Sequence, residues 1–224
     1  MLINLLFAGD MRALLIGVLL VVPSVVICLT IHECAHGLAA RLMGDHTAEL
    51  AGRLTLDPMA HIDPWGFLCL MLFGFGWAKP VPVNVSNFKN RRAGDAVTAL
   101  AGPVSNFLLA FVAFFGMTAL GQVLPLRSNF EIILLQFLWY LGALSAGLGV
   151  FNLIPIYPLD GSHVLNSILP FDLQRRWNNF IARYQSVLLL VFILVLWWGG
   201  LDIVIGGARR LLLGLAQRLY LLIV

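Results

Sequence analysis

The chain has 224 residues, of which 60% are hydrophobic and only 11% are charged. Soluble domains are about 45–50% apolar and about 25% charged, so the composition excludes an ordinary soluble protein and predicts an integral membrane protein. The formal net charge is only +3, and the basic residues are scattered among loops, which excludes a nucleic-acid-binding surface.

The first apolar run, residues 13–31, is long enough to cross the hydrocarbon core of a bilayer as a helix. It contains no small-residue cleavage site and continues into a histidine motif, so we expect it to remain in the mature protein. A helix over residues 12–43 would be about 48 Å long at 1.5 Å per residue, and would emerge from the membrane before Gly44 and Asp45 end it.

The next segment is polar and then apolar again. Residues 51–56 are predicted to form a short strand. Residues 65–75 are apolar but too few to span the hydrocarbon, and the proline-punctuated residues 79–83 are expected to be extended. Irregular backbone is tolerated at membrane depth only where protein or a water-filled cavity shields it. We therefore predict a re-entrant element that lines a site.

Three clearer spans follow, at residues 96–124, 132–154 and 186–200, the last with a start near Trp177. Residues 201–224 are apolar but contain arginines, so both a sixth span and an interfacial helix stay open. The predicted fold is an all-α polytopic membrane protein. It has about five to six membrane helices, a short re-entrant or β element near the active site, and one domain over residues 1–224.

Basic residues predict the orientation. They concentrate in the loop after the first helix and in the loop after the 132–154 span, whereas only Arg12 and Arg127 lie on the other side. Cytoplasmic loops are enriched in lysine and arginine, so the N-terminus is expected outside and both basic loops in the cytoplasm. The basic loop residues are Arg41, Arg53, Lys79, Lys89, Arg91, Arg92, Arg175, Arg176 and Arg183.

The run His32-Glu33-Cys34-Ala35-His36 lies at the end of the first apolar helix. Histidines four residues apart project from one face of a helix and can bind one zinc ion, and Glu33 is then adjacent to act on water. Ionisable residues inside a membrane helix are functional by default, which favours this interpretation over two hydrogen-bonded polar residues at a helix end.

A catalytic zinc site needs a third protein ligand. The candidates that another segment could bring to the same depth are His61, Asp63, Asp160 and His163. Two prolines unwind the chain after the 132–154 span and leave Asp160 beside a glycine, at the cytoplasmic depth of the histidines. We therefore predict Asp160 as the third ligand. A helix N-cap is its alternative role, and His163 is the alternative ligand.

Three motifs carry a family resemblance. They are the histidine motif at residues 32–36, the run Ala-Gly-Pro-Val-Ser-Asn at residues 101–106, and the run Asn-Leu-Ile-Pro-Ile-Tyr-Pro-Leu-Asp-Gly at residues 152–161. In this order they resemble the site-2 protease family of intramembrane zinc metalloproteases. The likeness covers about residues 31–162 and includes residues 52–58 and 75–80. The chain has no room for a PDZ or CBS domain between these motifs, so it resembles a minimal form.

The resemblance implies one zinc ion bound by His32, His36 and Asp160, with Glu33 as general base and acid. It also implies that Asn106 holds substrate backbone or a developing oxyanion near the zinc. Asn152 is expected to support the same pocket. For both asparagines, pairing with backbone groups freed by proline is the alternative.

The remaining site candidates are weaker. His61 is a candidate to support the site from behind the ligands. An exposed strand edge could hold an unwound substrate by backbone hydrogen bonds, either at residues 52–56, with Leu54 and Thr55, or at residues 77–83.

These observations predict zinc-dependent hydrolysis of peptide bonds in or near the transmembrane segments of single-span membrane proteins. The expected location is a bacterial or archaeal cell membrane, with the lipid bilayer as solvent and the active site near the cytoplasmic face. A homo-oligomer is compatible with the sequence, and no nucleic-acid partner is expected. A metal transporter and a catalytically idle metal-binding membrane protein are the competing interpretations.

Overall fold

The computed structural model describes residues 11–73 and 76–224, and the regular structure of these residues is helical. The helices are α1 (Met11–Leu42), α2 (Thr47–Leu50), α3 (Pro58–His61), α4 (Pro64–Phe73), α5 (Arg91–Val123), α6 (Asn129–Asn152), α7 (Asp160–Ile168), α8 (Phe171–Trp197) and α9 (Asp202–Ile223), with a single 3-10 turn at Val85–Asn87. No β-strand occurs in the described part of the chain, so the all-α prediction is confirmed.

Three of these helices are long and apolar enough to cross a membrane: α1, α5 and α6, with 32, 33 and 24 residues. They correspond to the predicted spans at residues 12–43, 96–124 and 132–154. Together with the composition, they make the chain an integral membrane protein. Residues 186–197 of the predicted span at residues 186–200 lie in the longer helix α8, and residues 198–200 form the turn that follows it. The last apolar segment forms α9.

Side-chain caps decide where α5 and α6 begin. Asn90 accepts a hydrogen bond from the backbone N–H of Ala93, so α5 starts five residues before the predicted residue 96. Ser128 and Glu131 form a capping box at the start of α6. Both caps lie in polar loops at the ends of apolar runs, where hydropathy alone gives no boundary.

The core lies between α1, α5 and α6, and glycines let these helices approach closely. A Cβ at Gly142 of α6 would lie 2.6 Å from a ring carbon of Phe114, and a Cβ at Gly149 would lie 2.8 Å from the ring of Phe107. Small residues at such positions allow dispersion contacts between helices in a membrane, where lipid removes most of the hydrophobic driving force. α7 packs on α5, and α9 packs on α5 and α6 through the fully buried Ala216.

The predicted strand at residues 51–56 is wrong. Ala51 and Gly52 form a turn that ends α2, Gly52 has a φ of +67°, and the N–H of Arg53 donates to Ala48 O at 2.9 Å. Asp57 then caps α3 through the N–H of Met59. The N–H groups of Ala51, Gly52 and Arg53 all donate to carbonyl oxygens of α2, so they are not available to a strand partner.

Most of the apolar residues 65–75 lie in helix α4. α4 has 10 residues, which corresponds to about 15 Å and is half of the roughly 30 Å hydrocarbon core. Gly74 and Phe75, which end the predicted segment, lie outside the described residues.

Candidate active site

The two histidines of α1 face the same point. They are four residues apart on a regular helix, both are buried, and their Nε2 atoms lie 3.0 Å from each other. Their rings meet edge to face, with centroids 4.6 Å apart. Two imidazole nitrogens at this separation require either a shared proton or a common cation.

Asp160 reaches this point from another part of the chain. It is the first residue of α7, and its Oδ2 atom lies 3.1 Å from His32 Nε2 and 3.3 Å from His36 Nε2. The N-cap of α7 is Leu159 and no side chain caps this helix, so the alternative role of Asp160 as an N-cap is wrong.

The donor set fits zinc. Four ligands at about 2.0–2.1 Å in a tetrahedron are about 3.3 Å from each other, and the two Nε2 atoms and Oδ2 are 3.0 to 3.3 Å apart. Asp160 Oδ2 is buried, and no hydrogen bond satisfies it within the described residues. A bound cation would satisfy this oxygen. Two imidazoles and one carboxylate also leave the fourth position of a catalytic zinc open.

Helix α5 orients both imidazole rings. His36 Nδ1 lies 2.7 Å from Thr98 O, which only accepts, so Nδ1 carries the proton and the neutral ring presents its lone pair at Nε2. His32 Nδ1 lies 3.1 Å from Asn106 Nδ2, and Asn106 Oδ1 is buried without a partner. A half-turn of the amide would let Oδ1 accept the Nδ1 proton and would free the lone pair of His32 Nε2.

A glycine on α5 makes room for the rings. A Cβ at Gly102 would contact His36 Nε2 and would lie 2.6 Å from His32 Cε1. Real Cβ atoms are not found this close to other atoms, so a larger residue here would displace the histidines. Gly102 therefore sets the distance between α1 and α5 at the metal-binding point.

Glu33 lies beside the histidines on α1 and is buried. Its Oε2 atom accepts a 3.0 Å hydrogen bond from the backbone N–H of Val81. Val81 belongs to the extended segment that follows α4, predicted here to line a site. The bond engages one oxygen of the carboxylate and leaves Oε1 for chemistry.

The structure brings together His32, His36, Asp160, Glu33 and Asn106. The other sequence-predicted residues are engaged elsewhere. Asn152 donates to Leu148 O in its own helix at 3.0 Å, and His163 contacts Asp95 Oδ1 at 3.2 Å rather than the metal-binding point. Leu54 lies against α1, and Thr55 O is 2.8 Å from Nε2 of the fully buried His61.

The site residues that sequence reasoning missed are backbone groups and glycines. They are Gly37, Thr98, Gly102 and Val81, together with Arg53, which bonds to the segment that contains Val81. One signal was available for Val81. Pro80 and Pro82 have no N–H, so Val81 carries the one backbone donor of these three residues.

Two helical histidines, a carboxylate from a second element and an adjacent glutamate, inside helices that can cross a bilayer, define a membrane-embedded metallohydrolase. The chain belongs to peptidase family M50, whose family model matches residues 20–130 and 122–196. The resemblance to the site-2 protease family is thereby confirmed, and the chain is a zinc metalloprotease.

Curated relatives agree with this assignment. The "Putative zinc metalloprotease YwhC" of Bacillus subtilis (strain 168) is 36% identical over 173 residues, which cover 77% of this chain and 79% of the relative. Two proteins named "Putative zinc metalloprotease Rip2" are similar as well. The one from Mycolicibacterium smegmatis is 28% identical over 79% of this chain and 67% of its own. The one from Mycobacterium tuberculosis (strain Erdman) is 31% identical over 81% and 70%. No solved structure matches the chain.

Proposed function

We propose that the protein is an intramembrane protease, which hydrolyses peptide bonds in or near the transmembrane segments of membrane proteins. The observation that carries this proposal is the position of the metal-binding point. Its two histidines and Glu33 are buried on α1, directly after the apolar residues 13–31 of a helix that is long and apolar enough to cross a membrane. A site on such a helix can meet substrates that are themselves in the bilayer.

Each site residue has a role in this reaction. His32, His36 and Asp160 hold the zinc ion, which when bound polarises a carbonyl and lowers the pKa of water. Glu33 takes a proton from water and returns it to the leaving amine. Asn106 orients His32 through its amide, because a ligand histidine needs an acceptor at its other ring nitrogen.

The proposed membrane arrangement has five to six helices, with α4 as a re-entrant element and α8 and α9 as the further membrane helices. The N-terminus of α1 is outside, and the active site is near the cytoplasmic face. The basic residues support this arrangement, since they concentrate between α1 and α5 and at the start of α8. The ten residues of α4 and the irregular residues 76–84 beside Glu33 support the re-entrant element.

The proposed substrates are single-span membrane proteins, unwound near the site. The two backbone edges expected to hold them are engaged within the chain. Residues 51–56 are not a strand, and backbone groups of Lys79, Pro80 and Val81 are already hydrogen-bonded. Substrate pairing with these edges would require them to exchange partners. A homo-oligomer stays compatible with this proposal.

The test is cleavage of single-span substrates by the purified protein in liposomes. Glu33→Gln keeps the size of the side chain but removes the base, and is expected to lower cleavage by at least about 100-fold with zinc content unchanged. Glu49→Gln is the matched control, because Glu49 is a partly exposed residue of α2 that pairs with Arg41 at 3.2 Å, away from the metal-binding point. It should keep full activity.

Three outcomes would contradict the proposal. Cleavage that survives in Glu33→Gln would remove Glu33 from the reaction. Cleavage of soluble peptides but not of membrane-spanning ones would place the substrate outside the bilayer. Zinc uptake into liposomes without any proteolysis would favour a metal transporter.

A further inference from the structure

Two loop segments between α1 and α5 meet beside Glu33. The first is residues 53–61, between α2 and the end of α3, and the second is residues 79–81, after α4. We call these two segments the bracing loops. Neither contains a zinc ligand, yet they are bonded to each other and to the carboxylate of Glu33.

The contact with Glu33 depends on one atom of the second segment. Pro80 and Pro82 have no backbone N–H, so Val81 is the residue of this proline-bounded run that can donate. Its N–H donates to Glu33 Oε2 at 3.0 Å. Hydrogen bonds to a charged acceptor are about twice as strong as neutral ones, so this bond holds the carboxylate in one direction.

The first segment fixes where that N–H lies. Arg53 donates to Lys79 O at 2.7 Å through Nη2 and to Pro80 O at 3.2 Å through Nη1. The N–H of Lys79 donates to His61 O at 2.9 Å. His61 is fully buried, and its Nε2 atom lies 2.8 Å from Thr55 O, within the same segment. The three backbone groups next to Val81 are thus held by Arg53 and His61.

A glycine on α1 lets the bracing loops reach the site. Gly37 is four residues after Glu33 and lies on the same face of the helix. A Cβ at Gly37 would lie 2.7 Å from Leu54 Cδ2 and 3.4 Å from Val81 Cγ1. Both bracing loops therefore pack directly on the helix turn that presents the catalytic carboxylate.

We infer that Arg53 and His61 are positioning residues, which hold the N–H of Val81 against Glu33 and so set the direction of the general base. This inference rests on the proposed function of Glu33. The guanidinium of Arg53 bonds two successive carbonyls, which fixes the orientation of the peptide between them as well as its position. On this inference His61 supports the base rather than the zinc, through the backbone carbonyl that accepts from Lys79.

The experiment compares Arg53→Gln and Arg53→Lys in the assay with membrane-spanning substrates. Displacement of a catalytic group by about 1 Å can lower the rate about 100-fold, so Arg53→Gln is expected to lower kcat about 10- to 100-fold with KM within about twofold. Arg53→Lys retains a charged donor group that can bond one of the two carbonyls, and should recover part of this loss. Bound zinc should stay at one ion per chain in both variants, because no ligand is touched.

Arg41→Gln is the matched control, since Arg41 is an exposed arginine in the last turn of α1 that pairs with Glu49 at 3.2 Å. It should leave kcat and KM unchanged. A rise in KM at constant kcat in Arg53→Gln would overturn the inference and assign the bracing loops to substrate binding. Equal loss of kcat in Arg53→Lys and Arg53→Gln would also overturn it.

A second pair of variants tests the N–H itself, in case the Arg53 variants do not fold. Val81→Pro removes the donor from a run that already contains two prolines, whereas Val81→Ala shortens the side chain and keeps the donor. The kcat of Val81→Pro is expected about tenfold below that of Val81→Ala. Equal kcat values would show that the N–H does not position Glu33. The proposed function would then still stand on Glu33→Gln, so the two failures are distinguishable.

Discussion

The helices around the metal-binding point and the loops beside it are held together in different ways. α1, α5 and α6 meet through glycine and other small residues, such as Gly102 and Gly142, which leave room for the side chains opposite. The loops between α1 and α5 are held by hydrogen bonds from side chains to backbone. Asp45, for example, is fully buried and accepts from Thr47, Asn84 and Asn87.

This difference separates two functions of the site. Close helix packing fixes the three zinc ligands relative to each other, because helices in contact are nearly incompressible. Hydrogen-bonded loops fix the base, because Glu33 is held by a backbone N–H from an extended segment. Changes in the helical region should therefore affect zinc binding first, and changes in the loops should affect stability or rate while zinc stays bound.

The largest effect is expected from the helical region. Gly102→Ala adds a methyl group that contacts His36 Nε2 and lies 2.6 Å from His32 Cε1, so the ligand triangle must open. We expect zinc affinity and cleavage to decrease by about 100-fold, measured by metal analysis and substrate assay. Gly116→Ala is the control on the same helix, because its Cβ would lie 3.8 Å from Leu138 and fit without strain. Normal zinc binding in Gly102→Ala would show that close packing at Gly102 does not hold the zinc ligands in place.

A somewhat smaller effect is expected from the amide that orients His32. Asn106→Leu removes the acceptor for Nδ1–H, so the ring can present its proton to the metal, and zinc affinity is expected to decrease about 10- to 100-fold. Asn106→Asp keeps an acceptor and should retain most of the affinity. Competition with a chelator would measure both values. If both variants bind zinc equally, Asn106 acts on the substrate instead.

In the loop region, Asp45→Ala should change stability but not zinc content. The variant leaves the donors of Thr47, Asn84 and Asn87 without their acceptor, which costs about 2 kcal/mol. A thermal melt of the solubilised protein should show a Tm lower by several degrees, with one zinc ion still bound. Asp172→Ala, at an exposed position in the first turn of α8, should leave the Tm unchanged. Loss of zinc in Asp45→Ala would contradict the separation of the two regions.

The smallest effect is expected from a pH-dependent contact between His163 of α7 and Asp95 of α5. The hydrogen bond with Asp95 raises the pKa of His163 above its ordinary value of 6.5. A raised pKa in the folded state means that the contact stabilises the protein fully below the ordinary value and that this stabilisation is lost as the pH rises through the folded pKa.

His163 is half exposed, so the contact is worth at most about 1 kcal/mol. The Tm difference between the wild type and Asp95→Asn should therefore be small at about pH 6 and absent at about pH 9. His163→Gln should show no such dependence on pH. A Tm difference that grows as the pH rises would contradict this prediction, because the contact would then stabilise the protein at high pH.

Much of the helical region could be predicted from the sequence. The histidine pair and Glu33 are set by the repeat of a single helix, which is a local property. Asp160 could be predicted because two prolines break the chain at the depth of the histidines. The span at residues 96–124 was placed five residues late, because Asn90 caps α5 in a polar stretch that hydropathy does not detect.

The loop region could not be predicted to the same extent. Residues 51–56 resemble a short strand before Asp57 and Pro58, but a strand needs a partner, and the N–H groups of residues 51–53 donate to α2 instead. Arg53 is bonded to carbonyls 26 and 27 residues away, and no local pattern of residues specifies such pairs.

By itself, the sequence determined the class of the protein, its membrane helices and the residues that can bind zinc, because helix periodicity and hydrophobicity act over short stretches of chain. Only the tertiary structure decided that Gly102 fits between the ligand rings, that Asn106 contacts His32 from 74 positions along the chain, and that Val81 holds Glu33 from 48 positions away. These contacts depend on how closely separate helices and loops approach, which is set by packing across the whole molecule.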